Sequence, residues 1–163
     1  MVKKILIILA LILAAGGGWL IVGRLFPSDK KRVEWTLEDI RKAVESGDAQ
    51  RCVTFVSPDY FYDNMSRKAL AVFAEGVLKL SGPMNIRVLK QDVTVLAGGG
   101  FAVTAGEVLS TPRAGSNLPG PVRTSWNLMF RKEGRDWKVW QVELNSVNGE
   151  RVQGLRGLLK LAE

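Results

Sequence analysis

The side chains best suited to chemistry lie in one short segment, where Asp59, Tyr60, Tyr62 and Asp63 follow one another closely. A carboxyl group beside a phenol at the mouth of a cavity could transfer protons, because burial shifts the pKa of such groups. The structural alternative is that Asp59 follows the end of a helix, that Asp63 caps the next helix, and that the tyrosines cover the edge of a sheet. Either interpretation places the segment between helices and a sheet.

Three tryptophans, Trp126, Trp137 and Trp140, form a second candidate group. Indole rings could stack a flat or lipidic ligand in an apolar pocket, or they could form the core of a small domain. If a small apolar molecule is bound, we expect these residues to line its cavity: Tyr60, Tyr62, Asp63, Phe73, Trp126 and Trp140. An empty cavity of roughly 300 Å³ or more would favour ligand binding, whereas a cavity filled by aromatic side chains would favour an interaction module.

Residue types that are absent restrict the chemistry. The chain has no histidine, and Cys52 is its only cysteine, so it can form neither a zinc site, a Cys/His nucleophile nor an internal disulfide. Cys52 lies in an apolar stretch, which is typical of a buried small hydrophobic residue. The glycines at 98–100 lie between strand-like runs and not before a helix, which argues against a phosphate-binding loop. We expect no metal and no cofactor, and the composition favours a non-catalytic protein.

Amphipathic helices are predicted to precede the sheet. Residues 28–46 carry apolar positions spaced by four, three and four, namely Val33, Leu37, Ile40 and Val44. Ser28 or Asp29 is expected to cap this helix, and Gly47 to end it. Asp48 is expected to cap a short second helix that ends at the Ser-Pro-Asp sequence 57–59.

A short strand at 60–62 and a third helix follow. Asp63 or Asn64 is the expected cap of that helix, and Ser-Gly-Pro at 81–83 its end. Its apolar side is predicted to comprise Met65, Ala69, Val72, Phe73, Val77 and Leu80.

From residue 85 onwards the apolar residues alternate, which indicates strands. Four main strands are predicted at 86–96, 101–111, 122–132 and 137–144, joined by hairpin-like connectors. Two alternating sets are expected to face the helices: Trp126, Leu128 and Phe130 on one strand, and Trp140, Val142 and Leu144 on the next. The fold class is therefore α+β, with three helices packed on an antiparallel sheet. This domain is predicted to span 28–149, followed by a helical tail at 150–163.

Residues 5–22 are uncharged and predominantly apolar, which predicts a transmembrane helix within an anchor segment at 1–27. Eighteen residues make a helix of about 27 Å, close to the hydrocarbon thickness of a bilayer. A cleaved secretory signal is the alternative, because Ala14, Ala15 and Gly16 would suit a peptidase. Trp19 followed by Arg24 is typical of an interfacial anchor and favours retention. A short basic N-terminus predicts an exported domain at a bacterial inner membrane.

The net charge of +7 is concentrated around this apolar segment. Residues 1–32 contain six basic residues and one acidic residue, which gives +5 and leaves +2 for the remaining chain. Basic residues that flank a membrane segment interact with anionic lipid headgroups. The charge distribution therefore indicates a membrane partner and argues against nucleic-acid binding.

The order of elements, the sequence Ala-Val-Glu-Ser-Gly-Asp at 43–48 and the sequence Phe-Val-Ser-Pro-Asp-Tyr at 55–60 resemble the nuclear transport factor two-like superfamily. The resemblance covers about 28–147 and implies a cone, in which a curved antiparallel sheet of four main strands encloses an apolar interior. Many unrelated activities share this fold, so the resemblance indicates fold more than function.

The ketosteroid isomerase branch of that superfamily would place a tyrosine on the first helix, where this chain has Ile40. Its catalytic aspartate would lie one residue from Asp63, and its second acid on the sheet, where this chain offers Asn127, Gln141 and Glu143. Dehydratase branches that depend on histidine do not fit a histidine-free chain.

Two functional hypotheses follow. The first is a non-catalytic, membrane-tethered interaction or scaffold module that contacts a protein partner, or a second copy, through the sheet face or the tail helix. Inner-membrane assembly subunits of type IV secretion systems are similar in plan. The second hypothesis is binding of a small apolar ligand in the cone, with weak acid–base chemistry at Asp63 as its extreme form.

Overall fold

The computed structural model of the chain describes residues 27–152 and Leu155. Its elements are α1 Asp29–Glu45, α2 Ala49–Thr54, β1 Phe61–Tyr62, β2 Met65–Ser66, α3 Arg67–Ser81, β3 Met84–Val95, β4 Phe101–Pro112, β5 Val122–Glu133, β6 Asp136–Val147 and β7 Glu150–Arg151. Helices precede the main sheet, which confirms the α+β class. None of the described helices is both long and apolar enough to cross a bilayer. The predicted span at 5–22 lies outside the described residues.

The first two helices begin at their predicted caps. The Ser28 hydroxyl accepts the N–H of Lys31 at 3.3 Å, and the Asp48 carboxylate accepts the N–H of Arg51 at 2.8 Å. These bonds satisfy N–H groups that have no partner within the helix. Gly47, with a φ of 70°, provides the left-handed residue that ends α1.

The start of α3 differs from the prediction. Asp63 and Asn64 have φ values of 54° and 57° and form the two-residue turn of the β1–β2 hairpin. Such turns require positive φ at both positions, which Asp and Asn tolerate. Neither residue caps α3, because Ser66 does so by accepting the N–H of Ala69 at 3.3 Å. The short strand expected at 60–62 is confirmed by β1.

The orientation of α3 also differs in part from the prediction. Val72 and Leu80, expected on its buried side, are 67% and 54% exposed. Phe73 packs against the sheet as predicted, Leu70 packs there although it was not on the predicted side, and no described residue of α3 is fully buried. The helix therefore lies over the sheet without an enclosed face of its own.

The main sheet is an antiparallel meander in the order β3-β4-β5-β6-β7, and its four long strands match the prediction within a few residues. In its register Ala102 lies beside Phe130, which lies beside Val139, and all three are buried against the helices. Register shifts occur at Val88/Lys90, Ser125/Trp126 and Met129/Phe130. Bulges of this kind bend strands and produce a curved sheet.

The predicted tail helix is wrong at its first residues. Asn148 and Gly149 have φ values of 50° and 87°, and Val147 pairs with Glu150 across this two-residue turn. Asn-Gly is the preferred sequence for such hairpins, so Glu150–Arg151 becomes a fifth strand. Beyond it, only Val152 and Leu155 are described, and Leu155 is buried.

Two clusters of buried apolar residues hold the helices on the sheet. The first comprises Val33, Val93, Ala102, Phe130, Trp137 and Val139, with Leu37, Ile40, Leu128 and Val142 among the residues packed against it. The second comprises Val122, Leu144, Val147 and Leu155, with Leu70, Phe73 and Trp126 among its neighbours. Trp126, Leu128 and Phe130 therefore face the helices, as predicted.

Candidate functional site

Tyr60 is the most buried of the predicted site residues, with 2% of its surface exposed. Its hydroxyl has no hydrogen-bond partner among the described residues. Burial, with smaller contributions from Asp63 and Tyr62, raises the pKa of Tyr60 to about 12. The phenol therefore keeps its proton at neutral pH, so it could donate a hydrogen bond but could not act as a base.

Asp63 does not accompany Tyr60 into the interior. It lies at the exposed tip of the β1–β2 hairpin, and Tyr62 beside it is half-buried. A general base must reach its substrate within hydrogen-bond distance inside a site that excludes water. The exposed Asp63 carboxylate does not meet this requirement, so the structure does not assemble the proposed acid–base pair.

Asp59 belongs instead to a polar network that ties the segment after α2 to the sheet. Nη2 of Arg131 donates to Asp59 and Glu133 at 2.7 Å and to the Ser57 hydroxyl at 3.1 Å. The Ser57 hydroxyl donates to Glu133 at 2.7 Å. Burial alone would raise the pKa of Glu133, but the hydrogen bonds from Ser57 and Arg131 outweigh it and hold the pKa below its usual value. The network is thus a structural clamp between distant parts of the chain.

Backbone pairing completes this clamp. The N–H of Ser57 donates to the carbonyl of Val139 at 2.9 Å, and the N–H of Val139 donates to the carbonyl of Phe55 at 2.8 Å. The segment around Val56 therefore runs beside β6 as a short parallel extension of the sheet. Ser57 is completely buried at this junction.

The predicted aromatic lining is divided between two faces of the sheet. Phe73 and Trp126 pack on the second core cluster, and Nε1 of Trp126 donates to the Thr124 hydroxyl at 2.7 Å. Trp140 was predicted to face the helices, but the bulge at Met129/Phe130 changes the alternation along β6. Its ring contacts Phe101 on the opposite face, with centroids 5.5 Å apart.

The polar sheet residues considered in the isomerase comparison also lie outside the interior. Asn127 pairs across the strands with Glu143, and its Nδ2 donates to the Glu143 carboxylate at 3.1 Å. Their sequence neighbours Leu128 and Val142 pack on the core, so Asn127 and Glu143 face away from the helices. Ile40 packs against the first core cluster. The interior positions of that active site therefore have no acid here.

Cys52 is half-buried, whereas its apolar surroundings in the sequence predicted a buried residue. Burial, assisted by the Asp48 carboxylate, raises the pKa of its thiol. A raised pKa disfavours the thiolate, which is the reactive form of cysteine.

The outer face of the sheet carries an apolar group in which only Trp140 was among the predicted site residues. We call Phe101, Val103, Met129 and Trp140 the sheet-face cluster. Val103 pairs with Met129, and Phe101 alternates with the buried Ala102, so the group faces away from the helices. Phe101 is 37% exposed, and the other three are half-buried. The bulky residues Phe101 and Val103, which alternate along β4, could have indicated an apolar outer face from the sequence. The presence of Trp140 on that face could not have been predicted, because it depends on the bulge at Met129/Phe130.

A cleft of about 660 Å³ lies where the start of α1 meets the β5–β6 hairpin and the residues after α2. We call it the N-terminal cleft. It is lined by Pro27, Arg32, Trp35, Thr36, Asp39, Phe55, Arg135, Asp136, Trp137 and Lys138. Trp137 contributes to the wall but is almost completely buried, whereas Trp35 is 48% exposed. Of these residues, only Trp137 was considered for a site from the sequence.

No protein-family model matches this chain, and no curated protein matches its sequence. Solved structures do match its fold. A cystatin-like protein from Caulobacter vibrioides is 12% identical with a TM-score of 0.61, covering 73% of this chain and 89% of that one. A candidate dehydratase of the NTF2-like family from Streptomyces avermitilis is 14% identical with a TM-score of 0.55, covering 70% and 93%.

Bd1075 of Bdellovibrio bacteriovorus is also similar, at 11% identity and a TM-score of 0.58. The match covers 70% of this chain but only 40% of Bd1075, which is a longer protein. At these identities the matches establish the fold alone. The chain thus has the NTF2-like, cystatin-like α+β fold that the sequence resemblance implied.

Proposed function

We propose that this protein is a non-catalytic, membrane-tethered module that binds a protein partner through the sheet-face cluster. The observation that carries the proposal is the position of its bulky apolar side chains. Phe101 and Trp140 contact each other on the face of the sheet that no described helix covers. The groups that could perform acid–base chemistry lie apart from one another. The Tyr60 phenol is buried, Asp63 lies in an exposed turn, and Asp59 belongs to the structural clamp.

The composition of this face resembles that of protein interfaces. Aromatic residues and methionine are enriched at interface centres, where they are surrounded by polar residues. Here the sheet-face cluster has Arg131 and Lys138 towards one end and Asn127 and Glu143 along the strands. At this rim Arg131 is already paired with Asp59 and Glu133, and Asn127 donates to Glu143. Lys138 and the Glu143 carboxylate form no ion pair among the described residues, so a partner would have to meet these two charges.

The tether is the second part of the proposal and rests on the sequence. Residues 5–22 form an uncharged segment long enough to span a bilayer, flanked by basic residues. The tether would hold the domain at the membrane surface and raise its local concentration near membrane-bound partners.

Site-specific photocrosslinking of the full-length protein in its native membrane tests this function. A photoreactive phenylalanine at Val103 should give a discrete protein adduct, and Phe101→Glu should abolish that adduct by placing a charge in the interface centre. The same probe at Val72, an exposed apolar residue on α3, is the matched control. An adduct at Val72 without one at Val103 would assign binding to another surface and overturn the proposal.

Ligand binding in the cone is the second candidate, favoured by two buried hydroxyl groups. The hydroxyls of Tyr60 and Thr104 have no partner among the described residues, and a bound polar atom would satisfy either of them. A structural neighbour is named as a candidate dehydratase, which gives a precedent for small-molecule binding by this fold. Titration with an apolar alcohol such as naphthol, followed by NMR, should shift the Tyr60 and Thr104 signals if this function is present.

A further inference from the structure

The N-terminal cleft contains cationic groups that form no close ion pair with a described carboxylate. Arg32 donates to the carbonyls of Pro27 and Arg135 at 3.4 and 3.1 Å, and Lys138 donates to the carbonyl of Thr54 at 2.8 Å. Carbonyl groups orient these side chains without neutralising them. Within residues 27–152, none of the three cleft cations Arg32, Arg135 and Lys138 forms an ion pair.

Ion pairs with carboxylates are formed by Arg41, Arg123 and Arg131. Among the described residues no ion pair is formed by the remaining arginines outside the cleft, namely Arg51, Arg67, Arg87, Arg113 and Arg151, so the cleft is distinguished by the grouping of its cations. The acidic residues that line the cleft, Asp39 and Asp136, reduce its charge without removing it, since three cations exceed two anions. An exposed indole, that of Trp35, stands beside these cations.

The position of the cleft connects it to the proposed tether. Only residues 23–26 separate the predicted membrane segment from Pro27, which lines the cleft. A fully extended chain covers at most about 3.6 Å per residue, so Pro27 lies within roughly 18 Å of Val22. If residues 5–22 span the bilayer, the cleft must lie at or near the headgroup layer.

We infer that the N-terminal cleft docks the domain onto the surface of an anionic phospholipid bilayer, with Arg32, Arg135 and Lys138 meeting headgroup phosphates. The inference rests on the proposed tether for its geometry. Trp35 has the amphipathic ring and the exposure typical of residues at the headgroup level. Docking would fix the orientation of the domain at the membrane, which a flexible tether alone would not do.

The expected effect follows from the number of charges. Each basic residue near an anionic surface strengthens binding by about fivefold, so removal of all three should weaken binding by the order of 100-fold. In the intact cleft Asp39 and Asp136 oppose part of this attraction. The interaction is electrostatic and therefore sensitive to salt. Raising the salt from roughly 0.1 M to 1 M shortens the screening length from about 10 Å to about 3 Å and should release the domain.

Hydrogen exchange of the full-length protein in nanodiscs tests the inference. Nanodiscs of phosphatidylcholine alone are compared with nanodiscs that also contain phosphatidylglycerol. We expect residues 29–36 and 133–138 to exchange at least tenfold more slowly in the anionic discs at low salt, and this protection to disappear at high salt. Equal exchange in both discs would overturn the inference.

Variants separate docking from folding. Arg32→Gln/Arg135→Gln/Lys138→Gln should lose the protection, whereas a control with the same charge change, Lys68→Gln/Arg87→Gln/Lys90→Gln, should keep it, because those exposed residues lie outside the cleft. Since Arg32 and Lys138 also bond to backbone carbonyls, a second variant, Trp35→Ser/Arg135→Gln, leaves those bonds intact. It should reduce the protection at least fivefold. If the control triple variant lost the protection while the cleft triple variant kept it, docking would belong to another surface and the inference would be overturned.

Two further measurements distinguish this inference from the tether and from a free anion. Flotation with phosphatidylcholine vesicles reports the tether alone, and flotation only with anionic vesicles would support surface docking while refuting the tether. Inorganic phosphate added to phosphatidylcholine discs tests for a small-anion site. If it protected the cleft as well as phosphatidylglycerol does, the lipid surface would be refuted as the ligand.

Discussion

Replacement of Ser57 by alanine should destabilise the domain strongly for so small a change. The hydroxyl donates to Glu133 at 2.7 Å and accepts from Arg131 at 3.1 Å and from the N–H of Asp59 at 3.2 Å. A hydrogen bond to a charged group contributes about 1.5–3 kcal/mol, and a neutral one about 0.5–1.5 kcal/mol. Because Arg131 still pairs with Glu133 in the variant, the carboxylate retains one partner. We therefore expect Ser57→Ala to lower the free energy of unfolding by about 2–3 kcal/mol.

The effect should depend on pH in a defined direction. The pKa of Glu133 is lower in the folded protein than its ordinary value of 4.5, despite the opposing effect of burial. The stabilisation from this ionised group is therefore fully present above about pH 4.5 and is lost as the pH falls through the lower, folded-state pKa. The difference between wild type and Ser57→Ala should be largest near pH 7 and decrease towards pH 3.

Urea unfolding of the full-length protein in a nonionic detergent, followed by tryptophan fluorescence, provides the measurement. Ser125→Ala is the matched control, because among the described residues the side-chain partner of the Ser125 hydroxyl is the neutral Ser146 hydroxyl, at 2.8 Å. This control variant should lower the free energy of unfolding by about 0.5–1.5 kcal/mol at every pH. A double-mutant cycle of Ser57→Ala with Glu133→Gln should give a coupling of about 1 kcal/mol or more. Equal, pH-independent losses in both serine variants would refute the charged clamp.

Three further stability predictions concern single residues. Tyr60→Phe should lower the free energy of unfolding by less than about 1 kcal/mol, or should raise it, since the hydroxyl has no partner among the described residues. A loss above about 2 kcal/mol in urea unfolding would show that the hydroxyl has a hydrogen-bond partner. Gly82→Ala should lower the free energy of unfolding by at least about 1 kcal/mol more than Gly47→Ala does, and thermal unfolding measures the difference. Both glycines have positive φ, but only at Gly82 would a Cβ lie 2.9 Å from a backbone oxygen. Asn64→Gly should change the free energy of unfolding by less than about 0.5 kcal/mol, because glycine suits the left-handed turn but gives the unfolded chain more freedom, and a loss above about 1 kcal/mol would contradict that turn.

The parts of the fold that the sequence predicted correctly depend on local patterns. Ser28 and Asp48 cap helices whose apolar spacing was already visible, and the four long strands follow from alternation between glycine-rich turns. Two of the wrong predictions concern two-residue turns. Asp63 or Asn64 was expected to cap α3, and a helical tail was expected from residue 150, although Asp63-Asn64 and Asn148-Gly149 both suit tight hairpins. Only the pairing of the flanking residues, which is not local, decides between these alternatives.

The candidate site was predicted less well, because its geometry depends on long-range register. A single bulge at Met129/Phe130 moves Trp140 from the interior to the outer face, and alternation alone does not locate a bulge. The clamp joins Ser57 and Asp59 to Arg131 and Glu133, residues more than 70 positions apart in sequence. Contacts between residues so far apart in the sequence leave no periodic pattern in it. The anchor at 5–22 remains a prediction.

The sheet-face cluster and the N-terminal cleft lie towards the same end of the domain, and this restricts the partner. The N–H of Lys132 donates to the carbonyl of Gly100 at 2.9 Å, so the β3–β4 and β5–β6 hairpins end side by side. Phe101 pairs with Arg131, four residues along the strand and its turn from the cleft residue Arg135. Four extended residues cover at most about 14 Å.

A protein that covers Phe101 and Trp140 would then also approach the lipid surface on which the cleft is proposed to dock. The partner is therefore expected to be a membrane protein or a second tethered copy, since a freely diffusing globular protein would meet the bilayer before it covered the cluster. Lipid itself is the competing occupant of the outermost residue, Phe101. Val103 lies two residues further along β4, beside Met129. An adduct of a Val103 probe with protein therefore favours a partner, whereas an adduct with phospholipid would extend the lipid-facing surface onto the sheet.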